Sequence, residues 1–235
     1  ILATIYSVSA YSGPDKLIPK PVEHRTEEGV YTLKPNGADI KVYLNSAPFN
    51  ARVADLPDFA KEEAYELTIS KKGVKIYACT EEGAFRGRQT LEMLRLLDPT
   101  GTVQYCTIFD YPRFRHRGIM LDESRSFKGK EFVKKQIDAL ALLKMNVMHL
   151  HLTDAAGWRL QIDAYPNLTD HVAWRIGETY HEWEGLGYPF TNAADPKAYG
   201  GFYTKEDIRE IVSYAAERHI DIIPEIEMPG HSMEV

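Results

Sequence analysis

The chain has 235 residues, of which 44% are hydrophobic and 26% are charged, and its formal net charge is −6. This length allows one large domain or two ordinary ones, and the composition is typical of a folded globular protein. The negative net charge argues against a protein that binds nucleic acid or an anionic membrane surface, and no apolar run approaches the roughly 18 residues that span a bilayer.

The N-terminal run ILATIYSVSA is apolar and ends in small residues, with Val8 and Ala10 placed like the −3 and −1 positions of a cleavage site. This pattern is typical of the end of a secretory signal peptide. We therefore predict that residues 1–16 are a signal-peptide remnant and that the protein is exported, to the periplasm or outside the cell. An ordinary first strand is the alternative, because Ile5, Tyr6 and Val8 favour β structure.

Residues 17–112 are predicted to form a small α+β domain. Apolar and β-branched runs predict strands, and one helix-spaced run predicts a helix; the strands are expected at Val30–Leu33, Asp39–Leu44, Tyr65–Ser70, Val74–Cys79 and Val103–Ile108, and the helix at Gly83–Leu97. Cys79 and Cys106 lie in strand-like contexts and predict buried thiols, with a single disulfide as the alternative. The Asp110-Tyr111-Pro112 segment breaks the pattern and marks the predicted domain boundary.

Residues 113–235 have a different sequence pattern, in which short apolar strands alternate with helices. The predicted order is strand Gly118–Leu121, helix Phe132–Leu143, strand Val147–Leu152, a long irregular segment at about 155–203, a helix opening at Thr204, and strand Ile220–Ile226. Thr204 and Asp207 form a capping-box-like start, and Ile208, Ile211, Val212 and Ala215 are the predicted buried stripe of that helix. This alternation predicts a parallel sheet covered by helices, interpreted as an α/β fold that opens a βα barrel.

Chemically active side chains are expected where parallel strands end, because a βα barrel carries its active site at that edge. Arg125 follows the first strand, Asp154 the second and His231 the third. The guanidinium of Arg125 suits a pair of hydroxyls or a carboxylate, although a surface ion pair is the alternative. A carboxylate beside an imidazole fixes its tautomer, so Asp154 and His231 predict a supporting pair for a catalytic acid.

Two further pairs share a face of one strand because their members are two residues apart. His149 and His151 predict either interior histidines bonded to neighbouring strands or ligands of a metal ion. Glu225 and Glu227 form the second pair. Residues 174–203 are rich in aromatic side chains, which favours either stacking on sugar rings or a small core within that segment.

The motifs together resemble glycoside hydrolase family 20, the β-N-acetylhexosaminidases. The barrel part of the resemblance lies in HRGIMLDESRSF, LKMNVMHLHLTDAAGWRLQI and YTKEDIREIVSYAAERHIDIIPEIEMPGH. LIPKPVE and EGAFRGRQTLEML are similar to the small N-terminal α+β domain of that family. The resemblance covers nearly all of residues 17–235 and implies the first three strands of a TIM (β/α)8 barrel in residues 113–235.

The resemblance implies hydrolysis of terminal β-linked N-acetylglucosamine or N-acetylgalactosamine with retention, assisted by the acetamido group of the substrate. By position, Arg125 matches the arginine that binds the hydroxyls of the terminal sugar, and Asp154 with His231 matches the pair that supports the catalytic Glu. No metal or cofactor is implied. The partner is an N-acetylhexosamine-containing glycan, with no nucleic acid and no membrane span, and the oligomeric state is left open.

The resemblance also implies an Asp-Glu catalytic pair beyond the PGH turn, where only residues 232–235 follow. We therefore predict that the chain is a fragment with an incomplete barrel, inactive when alone. Two departures from the family pattern, Ser126 and Leu150, concern the pocket and not an assigned catalytic residue. A metal-dependent barrel hydrolase using His149 and His151, and a non-catalytic sugar-binding module, are the alternative functions.

Overall fold

The computed structural model describes residues 13–34, 37 and 39–233, which divide into two compact units. The first unit reaches Arg115 and includes Leu142–Lys144, whereas the second comprises His116–Ala141 and the residues from Met145 on. The predicted signal remnant at residues 1–16 lies outside the described residues except for its last four. Of these, Pro14–Lys16 form a short 3-10 helix.

The first unit contains a mixed five-stranded sheet in the order β1-β5-β3-β4-β2. Its strands are β1 (Glu23–Thr32), β2 (Ile40–Leu44), β3 (Tyr65–Ser70), β4 (Gly73–Ala78) and β5 (Thr102–Asp110). All neighbours pair antiparallel except β2 and β4, which are parallel. The predicted α+β composition of this part is therefore confirmed. The first strand begins at Glu23, whereas the sequence predicted a start at Val30. The earlier start was missed because the register is irregular between Thr26 and Val30, which interrupts the simple alternation of side chains.

Three helices accompany this sheet: α1 (Ala47–Arg52), α2 (Asp58–Glu63) and α3 (Glu81–Leu97). The side chain of Thr80 caps α3 by accepting a hydrogen bond from the Gly83 backbone N–H. Leu91 and Leu94 of α3 pack against sheet residues in the main core, whereas Leu97 is exposed. The predicted helix is confirmed, and α1 and α2 were not predicted because six-residue helices are too short to show a clear period.

Cys79 and Cys106 are both free thiols, so the alternative of a disulfide between them is wrong. Cys106 is buried and Cys79 is half-buried. Burial raises the pKa of the Cys106 thiol to about 12, which makes it unreactive at neutral pH.

The second unit contains three parallel strands separated by helices. In chain order they are β6 (Gly118–Asp122), α4 (Lys130–Leu142), β7 (Val147–His151), α7 (Lys205–Ala216) and β12 (Asp221–Glu225). The sheet order is β12-β7-β6, and both pairings are parallel. The predicted strand–helix–strand–helix–strand pattern and the parallel sheet are therefore confirmed.

The long segment between β7 and α7 is not irregular throughout, as the sequence had predicted. It holds the short elements β8 (Thr153–Asp154), β9 (Gly157–Trp158), α5 (Asn167–Asp170), β10 (Trp174–Ile176), α6 (Tyr180–Gly185) and β11 (Ala198–Gly200). β8 and β9 form one antiparallel pair, and β10 and β11 form another. These strands have only two or three residues each, which is too short for alternation to identify them.

The start of α7 follows the prediction, but its buried stripe is narrower than predicted. Thr204 and Asp207 form a reciprocal capping box. Ile211 and Ala215 are buried, whereas Val212 is 46% exposed. Within the described residues, no helix combines the length and the apolar character that crossing a bilayer requires.

Candidate functional site

The three predicted strand ends meet at one edge of the parallel sheet. The register places Asp122, His151 and Glu225 directly beside one another as the last residues of β6, β7 and β12. Parallel strands end at the same edge, so the segments that follow them carry their side chains into one region. Arg125, Asp154 and His231 all lie on these following segments and come together there.

Arg125 is held between two carboxylates. Its Nη1 lies 2.6 Å from Asp122 Oδ2, and its Nη2 lies 2.5 Å from Asp154 Oδ2. The backbone N–H of Arg125 also donates to Asp122 Oδ1 at 2.9 Å. The side chain is still 38% exposed, and a guanidinium has five N–H donors. Arg125 is therefore oriented by two acids while part of its donor fork remains open to a ligand.

Asp154 is the centre of the cluster, with a side chain only 3% exposed. Its Oδ2 contacts Arg125, His231 Nδ1 at 2.9 Å and His151 Nε2 at 3.1 Å, and its Oδ1 accepts from the Ala155 backbone N–H at 2.7 Å. The predicted proximity of Asp154 and His231 is observed. One buried carboxylate thus orients an arginine and two imidazoles together.

His149 and His151 both face Glu225 of the neighbouring strand. His149 Nε2 lies 2.5 Å from Glu225 Oε2, and His151 Nδ1 lies 3.1 Å from Glu225 Oε1. Both distances suit an ion pair, but neither contact has the angle of a good hydrogen bond. Burial opposes the charged form of His151, yet the carboxylates of Asp154 and Glu225 outweigh it and raise the pKa of the imidazole. Of the two interpretations of this pair, the contacts favour histidines that pair with a carboxylate of the neighbouring strand, with His151 buried and the His149 side chain 36% exposed.

The side chains of Glu225 and Glu227 interact with each other and shift each other's pKa. The contact with Glu227 lowers the pKa of Glu225, and the contact with Glu225 raises the pKa of Glu227. Ligand atoms of Glu225, Glu227 and His151 lie within 4.8 Å of one another, and these three residues could hold a metal ion. This group does not include His149, which the metal hypothesis had required, and Nε2 of His151 is already bound to Asp154.

Glu123 is a buried carboxyl group that the sequence did not single out. It accepts hydrogen bonds at Oε2 from the Tyr203 hydroxyl at 2.7 Å and from the Lys128 backbone N–H at 2.9 Å. Burial raises the pKa of Glu123 despite these donors. The signal available in the sequence was its place between the strand and Arg125. Its contacts fix the backbone from which Arg125 emerges.

The aromatic residues of 174–203 pack mainly on one another. Trp183 is fully buried, and its ring lies 5.7 Å from Tyr180, 4.9 Å from Tyr188 and 5.5 Å from Phe190, centroid to centroid. Tyr203 is also buried and is bonded to Glu123. The segment therefore has a small core of its own, which favours the packing interpretation over sugar stacking for these residues.

Known families match this arrangement along most of the chain. The model for "Glycosyl hydrolase family 20, catalytic domain" matches residues 114–235, and that for "Glycosyl hydrolase family 20, domain 2" matches residues 23–111. The chain therefore belongs to glycosyl hydrolase family 20, as the resemblance of its motifs predicted.

Individual relatives agree with this membership. A β-hexosaminidase of Porphyromonas gingivalis is 43% identical over 182 residues, covering 74% of this chain and 21% of the relative. A β-hexosaminidase of Vibrio furnissii is 44% identical over 174 residues, covering 73% of this chain and 27% of the relative. The chain thus spans only a minor part of the length of these curated relatives.

Solved structures are similar as well. The exo-β-N-acetylglucosaminidase of Vibrio harveyi in complex with N-acetylglucosamine has a TM-score of 0.72 and 30% identity, covering 100% of this chain and 40% of its own. A mutant β-hexosaminidase of Streptomyces plicatus in complex with its product GlcNAc has a TM-score of 0.66 and 32% identity, and the match covers 93% of this chain and 47% of the Streptomyces chain.

Proposed function

We propose that the chain is the sugar-binding part of a β-N-acetylhexosaminidase, which removes terminal non-reducing N-acetylglucosamine or N-acetylgalactosamine from β-linked glycans. The observation that carries this proposal is the half-exposed Arg125, fixed by Asp122 and by the buried Asp154 at the end of parallel strands. Relatives named β-hexosaminidase and structures that contain N-acetylglucosamine support it.

In this proposal β6, β7 and β12 are the first three strands of a TIM (β/α)8 barrel. Their parallel pairing, the intervening helices α4 and α7, and the charged residues at their carboxyl ends support this assignment. The domain arrangement is then an N-terminal α+β domain at 17–112 followed by the start of the catalytic barrel at 113–235. Export to the periplasm or the cell exterior stays a prediction from the N-terminal residues.

The reaction that fits this proposal is substrate-assisted. The acetamido oxygen of the substrate attacks the anomeric carbon, a Glu protonates the leaving oxygen, and an Asp orients the acetamido group. The proposal assigns neither of those two carboxylates to a residue of this chain. This chain supplies Arg125, which donates hydrogen bonds to hydroxyls of the terminal sugar, and the Asp154–His231 pair, which supports the acid through His231.

Hydrolysis of matched aryl glycosides tests the proposal. The protein, as its gene encodes it, is expected to hydrolyse aryl N-acetyl-β-glucosaminide and the corresponding galactosaminide, but not aryl β-glucoside, which lacks the acetamido nucleophile. An N-trifluoroacetyl substrate is expected to react much more slowly, because fluorine withdraws electrons from the attacking oxygen. Equal rates on the glucoside and the N-acetylglucosaminide would contradict the proposal.

A further inference from the structure

Two arginines beneath the site are fully buried, and each is bonded to backbone carbonyl groups instead of a carboxylate. Arg159 and Arg175 are both 0% exposed. Neither takes part in any ion pair among the residues that the structure describes, although buried guanidinium groups are usually paired with an acid. Their hydrogen bonds show what they hold in place.

Arg159 uses all three of its nitrogen atoms on five carbonyl oxygens. Nε donates to Glu123 at 3.0 Å, Nη1 to Ala173 at 2.6 Å and Gly201 at 3.0 Å, and Nη2 to Ser124 at 2.5 Å and Ala156 at 3.3 Å. The guanidinium therefore ties the segment after β6 to the segments around β9, β10 and β11.

Arg175 binds the same region through four carbonyl groups. Nη2 donates to the carbonyls of Arg125 and Glu178, both at 2.9 Å. Nη1 donates to Ala156 at 3.2 Å, and Nε donates to Gly177 at 3.0 Å. The carbonyl of Ala156 is thus shared by both arginines.

The two guanidinium groups together hold three consecutive carbonyls, those of Glu123, Ser124 and Arg125. Ser124 adds a tie through its hydroxyl, which donates to the carbonyl of Gly157 at 2.8 Å. The backbone that carries the Arg125 side chain is therefore fixed residue by residue. Fixing a loop in this way holds a binding side chain in its productive geometry.

Two glycines leave room for the guanidinium group of Arg159. A Cβ at Gly157 would meet the guanidinium of Arg159, and a Cβ at Gly200 would meet both the Ala173 carbonyl and Arg159. Both glycines also have positive φ, which L side chains rarely adopt. Burial and the nearby Arg175 lower the pKa of Arg159 to about 10. The guanidinium is therefore less stable in its charged form than in water, but it remains charged at neutral pH.

We propose that Arg159 and Arg175 are positioning residues for sugar binding, which act by fixing the backbone of Glu123, Ser124 and Arg125. This inference rests on the proposed function, because it assigns the sugar contact to Arg125. Lysine keeps the charge at either position but has three donors on one nitrogen, which cannot reach carbonyls spread around a planar fork.

A double-mutant cycle on the protein as its gene encodes it tests this proposal, with aryl N-acetyl-β-glucosaminide as substrate. Arg159→Lys is expected to raise KM about threefold to tenfold, no more than removal of Arg125 itself, with a smaller effect on kcat, because loss of oriented binding weakens a charge-assisted contact. In an Arg125→Ala background, the same change is expected to alter KM by less than about twofold, since the side chain through which it acts is gone. Arg175→Lys repeats the cycle, so a failure of Arg159→Lys to fold does not end the test.

Arg86→Lys is the matched control, a fully buried arginine of the first unit that pairs with Glu63 and Glu82. It is expected to lower the unfolding temperature without raising KM. Equal KM increases in both backgrounds, or no increase in the wild-type background, would overturn the positioning role. A wild-type protein without hydrolysis, or an Arg125→Ala variant with unchanged KM, would instead contradict the proposed function.

Discussion

At the scale of single residues, Asp154 determines the geometry of the candidate site. One buried oxygen atom of its carboxylate contacts Arg125, His151 and His231. A buried carboxylate is stable only when such partners compensate for its lost hydration. When Asp154 is replaced by a neutral residue, the charged groups around it lose their counter-charge. The same substitution therefore affects both the orientation of Arg125 and the stability of the fold.

Asp154→Asn is therefore expected to destabilise the protein by about 3 kcal/mol, the lower end for a broken buried pair, because Arg125 and His231 are partly exposed. Chemical denaturation of the protein as its gene encodes it measures this change. Asp170→Asn, at an exposed aspartate of α5, is the control and is expected to have an effect within about 0.5 kcal/mol. Equal effects of the two substitutions would contradict the central role of Asp154.

His151 gives the site a defined pH dependence. Its pKa is raised in the folded state, so its stabilising contribution is fully present below the unfolded value of about 6.5 and is lost as pH rises through the folded value. The difference in unfolding temperature between wild type and His151→Gln is thus expected to shrink as the pH rises above the unfolded-state pKa of about 6.5. His181→Gln, at an exposed histidine of α6, should show no such trend. A difference that grows with pH would contradict the assignment.

At the scale of elements, the helices show which local signals determine structure. Thr204 and Asp207 predict the start of α7, because a capping box satisfies two backbone donors within four residues. The buried stripe of α7 depends instead on what packs against it. Val212 is accordingly exposed although it continues the apolar period. The start of α7 could therefore be predicted from local hydrogen bonding, whereas the side of α7 that is buried depends on tertiary packing.

Thr204→Ala is expected to destabilise the second unit by about 1 kcal/mol, the usual cost of a lost N-cap. Unfolding in urea, followed by the amide signals of α7, measures it. The control is Ser213→Ala on the exposed face of the same helix, with an expected change within about 0.5 kcal/mol. A loss for Ser213→Ala as large as that for Thr204→Ala would show that the cap contributes nothing specific.

At the scale of the whole molecule, the sequence predicted the parts of the site that lie next to regular strands. The proximity of Arg125, Asp154 and His231 could be predicted because parallel strands end at one edge, so a pattern of strands locates the residues that follow them. Glu123, Arg159 and Arg175 were missed, because their roles depend on partners distant in sequence: the Tyr203 hydroxyl for Glu123, and backbone carbonyl groups for the two arginines. No spacing in the sequence indicates that two arginines converge on three consecutive carbonyls.

Under the proposed function, the 235-residue chain by itself is expected to show no turnover of aryl N-acetyl-β-glucosaminide. The proposal assigns sugar contacts and the supporting pair to this chain, but it assigns the acid and orienting carboxylates to none of its residues. A fluorogenic substrate assay of the purified chain, with the protein as its gene encodes it as the positive control, measures this. If the 235-residue chain still hydrolysed the substrate after a second purification, this would contradict the proposed assignment of roles.

The central claim, that Arg125 binds the terminal sugar, is tested most directly by competitive inhibition with N-acetylglucosamine. We predict that Arg125→Ala raises the inhibition constant about tenfold or more, because charge-assisted hydrogen bonds to sugar hydroxyls are lost. Arg209→Ala, at an arginine of α7 paired with the exposed Glu206, should leave the constant unchanged. An unchanged inhibition constant for Arg125→Ala in an active enzyme would contradict the claim.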